Sequence, residues 1–337
     1  MLFKIINENQ PNFTTLLNKL IDISEILPIY SAAHMKYYEN FYDKKLIENI
    51  SFLVCDENQA LGAFLAHSYE DTLTSKSFSY FGMPTLFVIS PNISNDLKLE
   101  ICELMIRNLN RIGFFSKKII SNYNILLPFN SINTIGSAEI FLKNARNSRV
   151  IYERTINLLD DDEIIFSNLS KSVKSAIKKN KEQKSSLTFF DHLSSTSGQI
   201  SAISVLKKLH FESAGRKTRS DETWEIQLEQ LQEGSILVTQ GVINNEVVHS
   251  SLFLINGKSV FYGVSANKIE TRENSISHIF LYKTIIELKK RNYSILFMGQ
   301  QFESLGRTLN PKEIGIEQFK SFFGGNLKPF LSLSANA

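Results

Sequence analysis

Apolar positions in this chain fall into short β-rich runs and longer helical stripes, in an order that occurs twice. The first copy opens with Ser51-Phe52-Leu53-Val54, then a turn signal at Asp56-Glu57-Asn58 and a second run over residues 61–67. A third run, residues 78–89, contains Tyr80-Phe81-Gly82. Leu97, Ile101, Leu104, Met105 and Leu109 then mark one stripe of a helix, as a period of 3.6 requires. Gly113 suits its C-terminal end, and a further strand is expected near residues 119–127.

The second copy begins Ser235-Ile236-Leu237-Val238 and reaches a turn at Asn244-Asn245. Residues 247–255 form the next run, closed by Asn256-Gly257, a hairpin signal. Residues 260–264 contain Phe261-Tyr262-Gly263, residues 277–292 read as a helix, and residues 294–298 as a strand. In both copies the order is strand, hairpin strand, strand, helix, strand. The opening Ser and the later Gly are 31 residues apart in one copy and 28 in the other. The pattern reads as a duplicated α/β domain; the alternative is coincidence, since hairpins followed by helices recur among α/β folds.

Between the copies, the acidic run Asp160-Asp161-Asp162-Glu163 gives way to a basic stretch over residues 168–183. At 100° per residue, Leu169, Val173 and Ile177 share one helix face, and Lys171, Lys174 and Lys178 the opposite one. A Lys ridge of this kind is either a solvated surface or a grip on phosphate, of a nucleotide sugar or of RNA.

Composition narrows the classes. Of 337 residues, 43% are hydrophobic and 21% charged, enough apolar material for two cores and against overall disorder. Lys plus Arg number 37 and Asp plus Glu 34, too even a balance to propose a nucleic-acid binder, DNA included, from charge. Two cysteines, Cys55 and Cys102, support neither a disulfide framework nor a Cys-rich zinc site; they read as small buried residues. His34, His67, His192 and His249 lack partners at ligand spacing, so no metal is expected. Polar residues interrupt the N-terminus too early for a signal peptide, and no run approaches the ~20 apolar residues of a membrane helix. A soluble, cytoplasmic protein without an integral membrane segment is expected.

Three pieces resemble FemAB-type transferases. One is the basic helix Leu169-Ser-Lys-Ser-Val-Lys-Ser-Ala-Ile-Lys-Lys-Asn-Lys181, like the Lys/Arg-rich helix joining the two halves of that family. Another is Ser277-His278-Ile279-Phe280-Leu281-Tyr282 leading to Tyr293-Ser294-Ile295-Leu296-Phe297-Met298-Gly299. The third, Gln318-Phe319-Lys320-Ser321-Phe322-Phe323-Gly324-Gly325, is similar to a Phe-Lys-x-x-Phe-Gly signature with one extra residue before the glycine. The resemblance implies two tandem N-acetyltransferase-like (GNAT) domains, each a mixed, mostly antiparallel sheet flanked by helices. It places an acceptor-shaping domain at residues 1–160, a basic linker helix at 161–185 and the acyl-transfer domain at 186–337. The family covers residues 167–328 best. Two features depart from related patterns. The stretch Glu270-Thr-Arg-Glu-Asn-Ser-Ile-Ser277 stands where ordinary GNAT enzymes carry a glycine-rich pyrophosphate loop, and no long coiled-coil insertion is present.

Acyl transfer needs a base for the nucleophile's proton and a cation or donors for the oxyanion. It needs no covalent enzyme nucleophile, and Gly263-Val-Ser265-Ala-Asn267 is not a nucleophile elbow. The resemblance implies that Lys320 supplies the cation; a surface lysine in a C-terminal helix is the alternative. His210 and Glu212 are candidate bases, in a loop where Arg216 and Arg219 suit a phosphate or carboxylate and Trp224 follows; an ordinary exposed loop is the alternative. Lys174 and Lys178 are further acceptor-binding candidates. Tyr262, Ser265, His278 and Gln300 are placed at the acyl donor, with His278 also readable as a capping or core residue.

These readings give an acyltransferase, with acyl-CoA as co-substrate rather than a permanently bound cofactor. It acts on an amine or hydroxyl of an amino sugar or cell-surface glycan precursor, in cell-envelope or polysaccharide biosynthesis, with the acceptor free or nucleotide-linked. One alternative is an aminoacyl-tRNA-dependent transferase adding an amino acid to a peptidoglycan precursor. Another is a non-catalytic glycan or nucleotide-sugar binding protein on the same scaffold.

Overall fold

The structure, a computed structural model, describes residues 3–42, 46–72, 75–114, 120–128, 143, 145, 147–180, 185–274, 276–302 and 308–334. The chain divides into two compact units. The first contains Met1–Ile26, Tyr30–Tyr152 and Pro329–Ala337; the second contains Leu27–Ile29 and Glu153–Lys328. Residues 161–180, from the segment expected as a linker, lie within the second unit, and residues 329–334 within the first.

Both units repeat one sheet order. In the second unit the strands Ser185–Phe190, Ile236–Ile243, Glu246–Asn256 and Ser259–Asn267 pair antiparallel in succession, and Ile295–Gln300 then pairs parallel to the last. In the first unit Lys4–Asn7, Phe52–Cys55, Ala60–Leu65 and Thr85–Ile89 pair antiparallel, and Ile120–Pro128 follows in parallel. A helix joins the parallel partners in each, Ile276–Lys290 in one and Asn95–Arg111 in the other, as a parallel crossover demands. The duplicated, mostly antiparallel α/β organisation expected from the sequence is present.

The sixth strand of each sheet comes from beyond the other copy. Residues 330–334 of Asn326–Ser334 pair with 124–128 in the first unit. Residues 153–157 of Asn147–Asn157 pair with Ile295–Gln300 in the second.

Turn chemistry explains the hairpins. Asn244 and Asn245 both have positive φ, at 50° and 64°, the pair that a two-residue type I′ turn needs. The Asp56 carboxylate accepts the N–H groups of Asn58 and Gln59 at 2.9 and 2.8 Å, as turn aspartates do. One expectation is corrected: residues 78–89 are not a single run. Reciprocal 2.9 Å bonds between Tyr80 and Met83, with Phe81 and Gly82 both at positive φ, break it. A hairpin, His67–Thr72 with Ser75–Ser79, precedes the break and forms a small second sheet with Leu46–Asn49.

The core of the second unit gathers Phe253, Val260, Leu281, Ile285, Leu296, Met298 and Phe323. Leu169 and Val173, from the apolar seam of the basic segment, belong to the same cluster, so that seam is core. Burying each such side chain is worth about 1.5–3 kcal/mol. Among the described residues, no helix is long and apolar enough to cross a membrane.

Leu333 lies only four residues from the C-terminus, yet it is fully buried in the first unit's core with Phe64, Phe87 and Met105. Leu333→Ala should therefore cost ~2–5 kcal/mol. Hydrogen exchange should accelerate first in Thr85–Ile89 and Asn95–Arg111, and leave Ile295–Gln300 protected.

Candidate active site

The parallel pair in the second unit is joined only at its start. Ser259, Val260 and Phe261 face Ile295, Leu296 and Phe297, and no rung follows. Val260 is 0% exposed, whereas residues 261–265 are half-buried or exposed. The strands therefore diverge beyond Phe261, leaving a cleft with backbone groups on both walls. Unpaired strand backbone offers donors and acceptors to an extended ligand.

Lys320 reaches the Ile295–Gln300 wall of this cleft. It sits in the last turn of the helix Pro311–Ser321, which starts at a capping box between Asn310 and Glu313. Its ammonium donates to the Gln300 carbonyl at 3.4 Å and lies 5.2 Å from the Phe302 ring centre. Gly299 makes the approach possible: a Cβ there would sit 2.8 Å from Nζ, and its φ of +92° disfavours a side chain. The glycines after Lys320 fix the other side. Gly324 and Gly325 have φ of +65° and +79°, and Cβ atoms there would strike the backbone oxygens of Asn168 and Thr155 at 2.5 and 2.2 Å. The Arg154 guanidinium donates to the Gly324 carbonyl at 2.6 Å and to Gln301 at 3.2 Å. Gln301 in turn donates to Glu317, one helical turn before Lys320.

Glu153, opposite Gln300 in the neighbouring strand, is the residue that the sequence reading missed. It is 5% exposed, and its Oε2 has no hydrogen-bond partner among the described residues. Burial pushes its carboxyl up to about 8, with the Lys320 charge pulling the other way. Burial likewise lowers Lys320 from the ordinary lysine range, against the attraction of Glu153 and Glu317. The site thus couples a carboxyl poised near neutrality with a half-desolvated ammonium, the pairing general acid–base chemistry uses. The sequence clue was slight: residues 151, 153 and 155 are alternate buried positions of one strand, so Glu153 stands where an apolar residue would be usual.

Other candidates divide. Gln300 contributes its carbonyl to Lys320. Tyr262 is the first residue beyond the paired rungs, and its ring lies 6.3 Å from that of Phe319; Ser265 stands three residues further along the same strand. His278 packs among Phe319, Phe322 and Phe323, with ring centres 4.8, 5.5 and 5.8 Å away, beneath the helix that carries Lys320.

The loop near residue 210 forms a separate cluster. His210 bonds Thr218 at 2.8 Å, and Arg219 stacks 3.8 Å above buried Trp224. Burial, with help from Arg219 and Lys312, holds His210 down at about 4. Lys312 lies in the first turn of the helix whose last turn carries Lys320, about 12 Å away along the axis at 1.5 Å per residue. Glu212 is exposed and pairs with Lys208 at 3.9 Å, and Arg216 is exposed. Lys174 donates to the Ser167 carbonyl at 2.7 Å, while Lys178 is exposed. Two surface hollows, of about 640 Å³ beside Phe189 and Arg291 and about 430 Å³ beside Glu212 and Lys268, include neither Glu153 nor Lys320.

The raised Glu153 value has a signed consequence for stability. Near pH 4 both folded and unfolded forms hold the proton. Between about pH 4.5 and 8 the unfolded carboxyl ionises first, so stability falls as pH rises. Glu153→Gln should match the wild type near pH 4 and exceed it by a few kcal/mol at pH 9, read by chemical denaturation at both pH values.

No protein-family model matches the sequence, and no curated protein matches it. Solved structures do match. FemX shares 10% identity over 98% of both chains with a TM-score of 0.66. A conserved protein of unknown function from Bacteroides thetaiotaomicron shares 11% over 98% of this chain and 99% of that one, at 0.55. The C-terminal domain (DUF2156) of a protein from Agrobacterium fabrum, provisionally named a lysylphosphatidylglycerol synthetase, shares 9% over 96% and 92%, at 0.54. With its repeated sheet order and paired splayed strands, the chain carries the FemAB-like, double-GNAT fold.

Proposed function

We propose that this protein is an acyl or aminoacyl transferase whose cleft holds an activated acyl group. The observation that carries this reading is the buried Glu153–Lys320 pair at the open end of the diverging strands. In the proposed step the nucleophile's nitrogen bonds the acyl carbon and its proton passes to Glu153. The bond from that carbon to the leaving group then breaks, and the Lys320 ammonium stabilises first the oxyanion and then the departing anion. The proton held by Glu153 returns to the leaving group. No covalent enzyme intermediate is needed.

The narrower reading takes acyl-CoA as donor and an amine or hydroxyl of an amino sugar or cell-surface glycan precursor as acceptor. Arg219, held flat on Trp224, suits an anionic part of such an acceptor. A second reading, transfer from aminoacyl-tRNA, is favoured by the exposed Lys171, Lys178 and Lys179 of the basic helix. The short 3-10 turn Ile269–Asn274, standing where a glycine-rich loop would be, also favours it. The lysyl group in the name of the Agrobacterium neighbour fits transfer of an aminoacyl group.

The test is product detection by mass spectrometry with the full chain. Acetyl-CoA is offered with glucosamine and UDP-glucosamine in one arm, and charged tRNA with a peptidoglycan precursor in the other. Turnover is expected in one arm, rising with pH on a limb centred near 8. Glu153→Gln should remove the limb, and Lys320→Met should lower kcat by about 10²–10³. Binding without turnover in either arm, unchanged by Lys320→Ala, would select the non-catalytic alternative.

A further inference from the structure

A line of hydrogen-bonded polar side chains runs beneath the cleft wall, on the sheet face that also carries Phe253 and Thr239. The Tyr262 hydroxyl bonds Ser265 and Ser251. Ser251 Oγ lies 2.8 Å from His249 Nε2, and His249 Nδ1 lies 2.7 Å from Asn267 Oδ1. Asn267 Nδ2 donates to Ser277 Oγ at 2.5 Å, in the first turn of the helix Ile276–Lys290. Strand register assembles this line. Ser251 faces Ser265 and His249 faces Asn267, while a register shift leaves Gly263 as an extra residue and sets Tyr262 opposite Phe253. Tyr262 is thereby moved onto the face shared by Ser251 and Ser265, a re-aiming that bulges perform.

The line has a direction. His249 and Ser251 are each 1% exposed, and Phe280 stacks on the imidazole at 5.6 Å and 15°. Gly241 admits that ring, since a Cβ there would come within 2.4 Å of it. Burial holds His249 down at about 4, so one ring nitrogen carries a proton and the other accepts. Asn267 gives its amide N–H to Ser277, which leaves its carbonyl toward His249. The His249 proton is therefore on Nδ1, and Nε2 accepts the Ser251 hydroxyl proton. Ser251 then has only lone pairs for Tyr262, so Tyr262 directs its single proton inward to Ser251, Ser265 donates to the Tyr262 oxygen, and the lone-pair side that remains is left for the cleft.

Resting on the transferase reading of the cleft, we infer that Tyr262 presents its oxygen to the cleft as an acceptor for a substrate N–H or O–H, with Ser251, His249, Asn267 and Ser277 as positioning residues that fix its polarity. The shared chemistry is a hydrogen-bond-donating group beside the acyl carbon, supplied either by the nucleophilic amine or by the α-amino group of an aminoacyl donor.

The direction is tested without substrate by histidine ¹⁵N NMR of the full chain. The proton should be on His249 Nδ1, with Nε2 bare, and the signal should not titrate between pH 5.5 and 8.5. A proton on Nε2, or titration in that range, would overturn the inference. Kinetics then identify the source, with acetyl-CoA or glycyl-CoA as donor and glucosamine as acceptor. Tyr262→Phe and Ser251→Ala should raise one KM about tenfold. The affected KM is that of glucosamine if the nucleophile is held, or that of glycyl-CoA but not acetyl-CoA if the α-amino group is held. Unchanged KM values in an active enzyme would overturn the inference. A wild type inactive with all of these counts against the transferase reading instead, and the His249 spectrum still decides the direction.

Discussion

Parallel pairing between Ser259–Asn267 and Ile295–Gln300 stops after three rungs, and most of what is chemically unusual in this protein follows from that stop. A sheet that continued to pair would place only backbone hydrogen bonds there. Instead two walls part, and a lysine from a later helix reaches one of them. The lysine fits because Gly299 has no side chain and because Gly324 and Gly325 let the chain press against Asn168 and Thr155. A carboxylate from a neighbouring strand then shares the same poorly solvated space. Each charged group would be costly there alone; together they are held near the point where a proton can be exchanged at modest driving force.

The arrangement opposes stability. A carboxyl held protonated up to about pH 8 makes the fold less stable at neutral pH than a neutral isostere would. Sites that keep such a group trade folding energy for reactivity. The polar line from Tyr262 to Ser277 belongs to the same economy of structure: its members are satisfied in sequence, so it costs little, yet it fixes the direction of one hydroxyl on the cleft wall.

The repeat was legible because hairpins and amphipathic helices write themselves locally. Asn244-Asn245, Asn256-Gly257 and the stripe from Leu97 to Leu109 each specify an element within a few residues. The break at Phe81 and Gly82 was not legible, since an aromatic residue at positive φ has no local signature. Nor were the two closing strands, Asn147–Asn157 and Asn326–Ser334, whose partners lie far away in sequence. Lys320 was singled out by its flanking motif and lies at the cleft. Glu153 was invisible, because its meaning depends on a strand pairing and a burial that no short window encodes. His210 and Glu212 attracted notice as a dense polar loop, but their partners are one another's neighbours rather than Lys320.

The central claim is that Glu153 is a protonatable group tuned by burial beside Lys320. Site-resolved ¹³C NMR titration of the Glu153 carboxyl in the full chain measures this directly. The account predicts a midpoint near 8 that moves higher in Lys320→Met, where the attracting charge is gone. A midpoint near 4.5 that is indifferent to Lys320 would contradict it.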